Sequence, residues 1–115
     1  MRTERRIVDY AAQHHPGKFT RIDVRFRGAL CYIDAYSEPE PHGYFPSPDE
    51  TRDQWIERLR NTPTRLCRIR YFGNEDRWSF APYTYAHDKY EPSFLITGED
   101  QGTPEEAFET SVHFM

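Results

Sequence analysis

The stretch that most constrains the fold of this chain is residues 65–85, RLCRIRYFGNEDRWSFAPYTY. Two runs rich in apolar and aromatic residues flank residues 73–76, whose glycine, asparagine and acids are typical of a turn, so the stretch predicts a β-hairpin. A four-residue loop predicts three cross-strand pairs: Phe72 with Arg77, Tyr71 with Trp78 and Ile69 with Phe80.

The two faces of this hairpin differ in chemistry, because paired residues share a face and successive residues alternate between faces. One face is apolar and is predicted to lie in the core: Cys67, Ile69, Tyr71, Trp78 and Phe80. The other face is polar: Arg68, Arg70, Arg77, Ser79 and Tyr83. The role of this arginine and tyrosine surface is the main functional question.

A second hairpin is predicted over residues 19–37, where apolar and charged residues alternate with period two. A two-residue loop at Arg27 and Gly28 predicts these pairs: Phe26 with Ala29, Val24 with Cys31 and Ile22 with Ile33. Its predicted solvent-facing side again carries arginine and tyrosine, together with two aspartates: Arg21, Asp23, Arg25, Tyr32, Asp34 and Tyr36. A fifth strand that carries Phe94 and Ile96 is predicted over residues 90–98.

Three helices are predicted from apolar stripes and capping residues. The first covers residues 4–14, with Thr3 as its cap and an apolar stripe of Ile7, Val8, Ala11 and Ala12. The second covers residues 48–60, with Ser47 as its cap, Pro48 in the first turn and a stripe of Trp55, Ile56 and Leu59. The third follows Thr103, with an inner side of Ala107, Phe108, Ser111, Val112 and Met115.

These elements predict a single α+β domain over residues 1–115, because one-sided alternation in the strands is typical of an antiparallel sheet with one wet face. The predicted order is α-ββ-α-βββ-α, with five strands and the helices on the apolar face. Residues 38–48 hold four of the nine prolines and are predicted to be an irregular connection. Tyr44 and Phe45 within it are expected to pack over the sheet edge rather than meet a ligand.

Composition limits the classes of protein that this chain can be. Eight Phe, eight Tyr and two Trp supply a core despite a hydrophobic share of only 37%. The net charge is −4, which argues against a generally basic nucleic-acid binder, although residues 1–37 carry +3 and residues 91–115 carry −6. The chain contains neither a signal-peptide pattern nor a membrane-length apolar run, so we expect a cytoplasmic location. Cys31 and Cys67 are expected to be buried free thiols.

Motifs for metal, nucleotide or acyl-transfer chemistry do not occur in the sequence, so we predict no catalytic residue, no metal and no cofactor. His14 and His15 lie at the C-terminal end of the first predicted helix, where the helix dipole favours cations, so they need no ligand role. Asp23 and Asp34 could meet across their hairpin as a divalent-cation pair, but ion pairs with Arg21 and Arg25 are the favoured interpretation.

One polar cluster could perform acid–base chemistry: Tyr83, Tyr85, His87, Asp88 and Tyr90. Because neighbouring residues on a strand or turn point apart, a polar turn explains the same residues better. An enzyme is therefore the less favoured class of function.

Four stretches carry a resemblance to known proteins: FTRIDVRFRGALCYIDAY, NTPTRLCRIRYFG, DRWSFAPYTYAHDKYEPSF and GTPEEAFETS. They resemble a group of small bacterial proteins without an assigned function. The resemblance covers nearly the whole chain from residue 5 onward and implies a standalone, intracellular bacterial domain. It implies no activity, cofactor or site residues.

The arginine and tyrosine face is the candidate binding surface: Arg21, Arg25, Tyr32, Tyr36, Arg68, Arg70, Arg77 and Tyr83. Tyrosine and arginine are enriched at protein interfaces, so we expect a non-enzymatic module that binds a protein partner or its own copy as a homodimer. Single-stranded nucleic acid, or another anionic ligand, is the alternative occupant of the same face. No membrane association is expected.

Overall fold

The computed structural model describes residues 2–39 and 49–114. Its elements are α1 (Arg2–His14), β1 (Arg21–Arg27), β2 (Leu30–Tyr36), α2 (Arg52–Arg60), β3 (Thr64–Asn74), β4 (Arg77–Thr84), β5 (Lys89–Tyr90), β6 (Gln101–Gly102) and α3 (Pro104–His113). The α+β class and the predicted order of elements are confirmed, with β6 as an additional short strand. Every strand pair is antiparallel, and the sheet order is β1-β2-β3-β4-β5, with β6 also pairing with β4. Among the described helices, none has the length and apolar character needed to cross a membrane.

The register of the β3–β4 hairpin is confirmed at two of its three predicted pairs. Ile69 pairs with Phe80 and Tyr71 with Trp78. The pairing of Phe72 with Arg77 is wrong, because a bulge after Tyr71 moves Asn74 opposite Arg77. Gly73 adopts a φ of +92° in this bulge, and the Asn74 side chain accepts a hydrogen bond from the Asp76 amide at 2.8 Å. The glycine and this local bond favour a shorter turn than we predicted.

The register of the β1–β2 hairpin is wrong by two residues. The observed pairs are Phe26 with Cys31, Val24 with Ile33 and Ile22 with Ala35. Gly28 is the first loop residue, with a φ of +60°, rather than the second. A glycine with positive φ at the first loop position gives a turn that matches strand twist, whereas our register would have put Arg27 there. Because the error is an even number, each residue keeps its predicted face.

A second bulge lies in β3 and brings an unpredicted residue to the polar face. Ile33 pairs with Cys67 but the next residue, Asp34, pairs with Arg65. The extra residue, Leu66, is buried beside Cys67. Arg65 therefore lies on the same side of the sheet as Asp34 and Arg68.

The core lies between the apolar face of the sheet and helices α1 and α3. Cys31, Ile33, Ile69 and Phe80 share this buried face, as predicted. Both cysteines are free, and burial raises the pKa of each thiol to about 12, which keeps the thiols neutral.

Two of the four residues in the predicted apolar stripe of α1 are buried. Ile7 and Ala11 are buried, but Val8 and Ala12 are exposed, because this helix contacts the core along one narrow i, i+4 line. Thr3 is wrong as a cap, since it lies inside the helix and is itself buried.

Helix α3 matches its prediction. Thr103 and Glu106 form a reciprocal capping box, and Ala107, Phe108, Ser111 and Val112 are buried. Met115 lies outside the described residues.

Helix α2 begins later than predicted, because the capping box is made by Thr51 and Gln54. Its predicted stripe is only half-buried: Trp55, Ile56 and Leu59. The predicted cap and the connecting aromatics lie outside the described residues: Ser47, Pro48, Tyr44 and Phe45.

The predicted strand over residues 90–98 is wrong beyond Tyr90. Glu91 and Ser93 still donate to the Pro82 and Phe80 carbonyls at 3.1 Å, but Pro82 has no amide hydrogen to return a bond. The chain then turns, with Gly98 donating to the Leu95 carbonyl at 2.8 Å. Leu95 is the buried residue, whereas Phe94 and Ile96 are 66% and 57% exposed.

Candidate binding face

The two hairpins join through β2 and β3, so their polar sides form one continuous surface, which we call the outer face. All eight residues of the candidate binding surface lie on it: Arg21, Arg25, Tyr32, Tyr36, Arg68, Arg70, Arg77 and Tyr83. The structure adds Arg27, Arg65 and Tyr90. Arg27 was missed because we placed it in the turn, and Arg65 because a bulge changes the alternation. The helices that bury side chains in the core, α1 and α3, lie on the opposite side of the sheet.

Each aromatic ring of the outer face has a guanidinium group near it. The distances from guanidinium carbon to ring centroid are 4.1 Å for Arg21–Tyr36, 5.6 Å for Arg25–Tyr32, 5.1 Å for Arg65–Tyr83, 5.5 Å for Arg68–Tyr90 and 5.4 Å for Arg70–Phe72. These are within the range of cation–π attraction. The rings also contact one another edge to face, with Tyr90 centroids 5.5 Å from Tyr32 and 5.0 Å from Tyr83. The face is therefore an interleaved layer of arginine and tyrosine.

Positive charge exceeds negative charge on this layer. Its strands carry seven arginines and two aspartates. Arg21 pairs with Asp23 at 3.2 Å and Arg25 with Asp34 at 3.0 Å, so the predicted ion pairs are confirmed. Within residues 2–39 and 49–114, the other five arginines form no ion pair: Arg27, Arg65, Arg68, Arg70 and Arg77.

Asp34 is the most unusual group of the outer face, since its residue is only 5% exposed. Its Oδ2 accepts from Arg25, but its Oδ1 has no hydrogen-bond partner among the described residues. Burial raises the pKa of Asp34, although the charges of Arg25 and Arg65 oppose this shift. Burial, with the Asp34 charge as a smaller cause, raises the pKa of Tyr90 to about 12. An incompletely satisfied buried carboxylate lowers the stability of the fold.

Open space above this region could accept ligand groups. One concavity of about 450 Å³ is lined by Arg25, Phe26, Arg27, Tyr32, Arg65 and Tyr90. A second, of about 550 Å³, has Arg68, Arg70 and Phe72 in its wall. Five guanidinium groups thus border the two concavities, where their N–H edges could bind carboxylate or phosphate oxygens.

The candidate acid–base cluster at the end of β4 divides into separate contacts. Tyr83 donates its hydroxyl hydrogen to Asp88, and His87 instead contacts Glu91. The hydroxyl oxygen of Tyr85 accepts from the Arg65 amide at 2.7 Å. His87 and Asp88 are both exposed and bind different partners. This geometry brings no histidine–aspartate pair together, and it matches the polar-turn interpretation.

Asp23 and Asp34 do lie directly opposite each other across β1 and β2. Each carboxylate is engaged by its own arginine, as described above. In the part of the chain that the structure describes, no group of three or more His, Cys, Asp or Glu side chains could hold a metal ion.

A cluster around Glu109 joins α1 to α3 and was missed by the sequence analysis. Its carboxylate accepts from the Tyr10 hydroxyl at 2.7 Å and contacts the ring nitrogens of His15 at 2.9 Å and His113 at 3.2 Å. The hydrogen bond from Tyr10 is the main cause that lowers the pKa of Glu109. Glu109 and His113 are four residues apart on one helix, a spacing that a sequence pattern can indicate. Tyr10 and His15 are more than ninety residues away along the chain, so no sequence pattern indicates their contacts with Glu109. We interpret this cluster as a structural link.

We expect Glu109→Gln to lower the free energy of unfolding at pH 7 by about 1–2 kcal/mol, because it removes a charged acceptor of several hydrogen bonds. A lowered folded-state pKa stabilises the fold above the ordinary value of 4.5, and this contribution is lost as the pH falls through the folded-state pKa. The difference between variant and wild type should therefore shrink in acid. Urea unfolding at several pH values measures it, with the exposed Glu99→Gln as the control. A pH-independent difference would contradict this account.

Comparisons with protein-family models, with curated proteins and with solved structures found no match to this chain. The resemblance to small bacterial proteins therefore stays a prediction.

Proposed function

We propose that this chain is a non-enzymatic, cytoplasmic module that binds an acidic segment of a partner protein on its outer face. The observation that carries this proposal is the set of five arginines with no ion-pair partner in the described residues, on strands that carry seven arginines and two aspartates, with Asp100 also in the wall of the concavity beside Arg68 and Arg70. The whole chain has a net charge of −4, so this surface opposes the overall charge. A local positive field of this kind attracts and orients negatively charged partners.

A second copy of the chain is a poor occupant of the outer face. A two-fold interface places the same patch on both sides, so arginine-rich surfaces would face each other. Like charges at an interface are unfavourable, and the two aspartates are already engaged by Arg21 and Arg25. A partner with surplus carboxylates removes this repulsion.

Carboxylates suit this face better than nucleic-acid bases do. Stacking a base on Tyr32, Tyr36, Tyr83 or Tyr90 would compete with the guanidinium that already contacts each ring. A guanidinium that stays stacked on a ring still presents its N–H edge to a carboxylate. Binding an acidic segment therefore keeps the cation–π contacts, each of about 0.5–1 kcal/mol at exposed sites, whereas base stacking disrupts them.

The test is fluorescence anisotropy with a labelled oligoglutamate and a labelled single-stranded RNA, each at about 50 and 200 mM salt. We expect oligoglutamate to bind, and Arg68→Ala with Arg70→Ala to weaken binding about tenfold, equivalent to 1.4 kcal/mol. The matched control is Arg2→Ala with Arg5→Ala on α1, which removes the same charge on the other side of the sheet.

Equal losses in the two double variants would contradict a site on the outer face, because only the total charge would then matter. No binding of oligoglutamate at low salt would overturn the proposal. If RNA alone bound, with a steep salt dependence that the outer-face variant reduced, nucleic acid would replace the acidic segment as the ligand.

A further inference from the structure

The two margins of the sheet differ in their ability to accept another strand. At one margin lie β5 and β6, which have only two residues each and are followed or preceded by irregular chain. At the other lies β1, with seven residues and no proline, paired only with β2 among the described strands. Short strands and proline protect an edge from further pairing, and β1 has neither feature. Its Phe26 side chain is also 37% exposed.

The direction of the free main-chain groups on β1 follows from the pairing of β2. The Ala29 carbonyl accepts from the Tyr71 amide at 2.8 Å, so alternate residues from Ala29 onward direct their main chain toward β3. The residues between them direct theirs toward β1, where they pair with Arg21, Asp23, Arg25 and Arg27. The remaining residues of β1 therefore direct their N–H and C=O groups to the open edge: Ile22, Val24 and Phe26.

We propose that β1 pairs antiparallel with β1 of a second copy, with Val24 opposite Val24 on the two-fold axis. In this register Ile22 lies opposite Phe26 of the second copy, so all three outward-directed residues form hydrogen-bonded pairs. The same pairs match apolar with apolar on the core side of the sheet. This dimer is distinct from the proposed acidic-partner site and does not depend on it.

The overlap of the two strands selects this register, and the charges on the outer side of β1 are compatible with it. Asp23 lies opposite Arg25 of the second copy, twice by symmetry, which is attractive. A shift of two residues in either direction leaves only two of the three outward-directed residues of each strand paired, and it places Asp23 opposite Asp23 or Arg25 opposite Arg25 on the two-fold axis. The chosen register sets Arg21 opposite Arg27 only at the strand ends, where exposed side chains can turn into solvent. It also keeps both outer faces on the same side of one continuous sheet.

Cysteine cross-linking tests the register directly. Directly hydrogen-bonded antiparallel pairs have Cα atoms about 5.5 Å apart, within the range of a disulfide. We expect Val24→Cys to form a covalent dimer under mild oxidation. A mixture of Ile22→Cys and Phe26→Cys should form the mixed dimer faster than either variant forms its own dimer. The wild type is the control, because Cys31 and Cys67 are fully buried.

Sedimentation over a concentration series measures the association without any cysteine. We expect the wild type to show a dimer that dissociates on dilution, and Val24→Pro to stay monomeric. The proline removes an N–H that is directed to the open edge and has no partner among residues 2–39 and 49–114, so the circular dichroism of the variant should stay near that of the wild type. A wild type that is monomeric throughout, or cross-linking that does not favour these pairs, overturns the proposal. If Val24→Pro does not fold, the cross-linking result decides.

Discussion

Phe108→Ala should lower the free energy of unfolding by about 3–5 kcal/mol, the usual cost of removing a fully buried phenylalanine. The Phe108 side chain lies in the core with none of its surface exposed. Its ring makes edge contacts with Tyr10 and Phe19, at centroid distances of 6.1 and 5.8 Å. Alanine would leave a cavity where α3, α1 and the sheet meet. Urea unfolding followed by circular dichroism measures the loss.

Phe114→Ala is the matched control, because Phe114 follows the same helix and is 62% exposed. Its removal should change the free energy of unfolding by no more than about 0.5 kcal/mol. If Phe108→Ala cost no more than Phe114→Ala, the assignment of α3 to the core would be wrong.

The faces of the strands were predictable from the sequence because alternation has a period of two. The β1–β2 register was wrong by two residues, yet Ile22 and Val24 still point toward the core. An error of one residue would have reversed every side chain, and the apolar pattern excludes it. A register error of two residues therefore leaves the predicted fold class and side-chain orientation correct, although every predicted cross-strand pair of that hairpin is wrong.

Turn and bulge geometry was harder to predict, because it depends on which single residue adopts positive φ or is inserted. Gly28 could occupy either loop position on composition alone, and its φ of +60° decides between them. The bulge at Leu66 follows from a register shift between β2 and β3, which lie far apart in the sequence. Arg65 thus reached the outer face through a tertiary effect.

The candidate site was predictable as a set of residues but not as an arrangement. Alternation placed arginine and tyrosine on one face, which the structure bears out in position. The burial of Asp34 and the contact of Tyr90 with Tyr32 depend on how β2, β3 and β4 are brought together. No pattern along one strand indicates which arginines lack a carboxylate partner.

Arg25→Ala should be the most damaging substitution on the outer face, with a loss of about 1–3 kcal/mol in the free energy of unfolding at pH 7. The Asp34 side chain is 7% exposed and its carboxylate would lose its only observed hydrogen bond among the described residues. Removing Arg25 leaves the buried charge of Asp34 with Arg65 as the remaining positive charge that offsets it among the described residues.

The pH dependence of this loss has a definite sign. The pKa of folded Asp34 is already above its ordinary value of 3.8, so the ionised carboxylate destabilises the fold at neutral pH and protonation relieves the cost. Arg25→Ala raises the folded pKa further, which enlarges the cost at pH 7. Below the unfolded pKa, Asp34 is protonated in both states, so the difference between variant and wild type should nearly disappear.

Arg21→Ala on the same strand is the matched control for Arg25→Ala. Its partner, Asp23, has a 37% exposed side chain, and water can replace the lost guanidinium. We therefore expect a smaller loss for Arg21→Ala than for Arg25→Ala at pH 7. Urea unfolding of both variants at pH 7 and at about pH 3 makes the comparison across the titration range of an ordinary carboxyl. Equal losses at both sites, or a loss for Arg25→Ala that grows in acid, would show that the buried Asp34 charge is not what Arg25 stabilises.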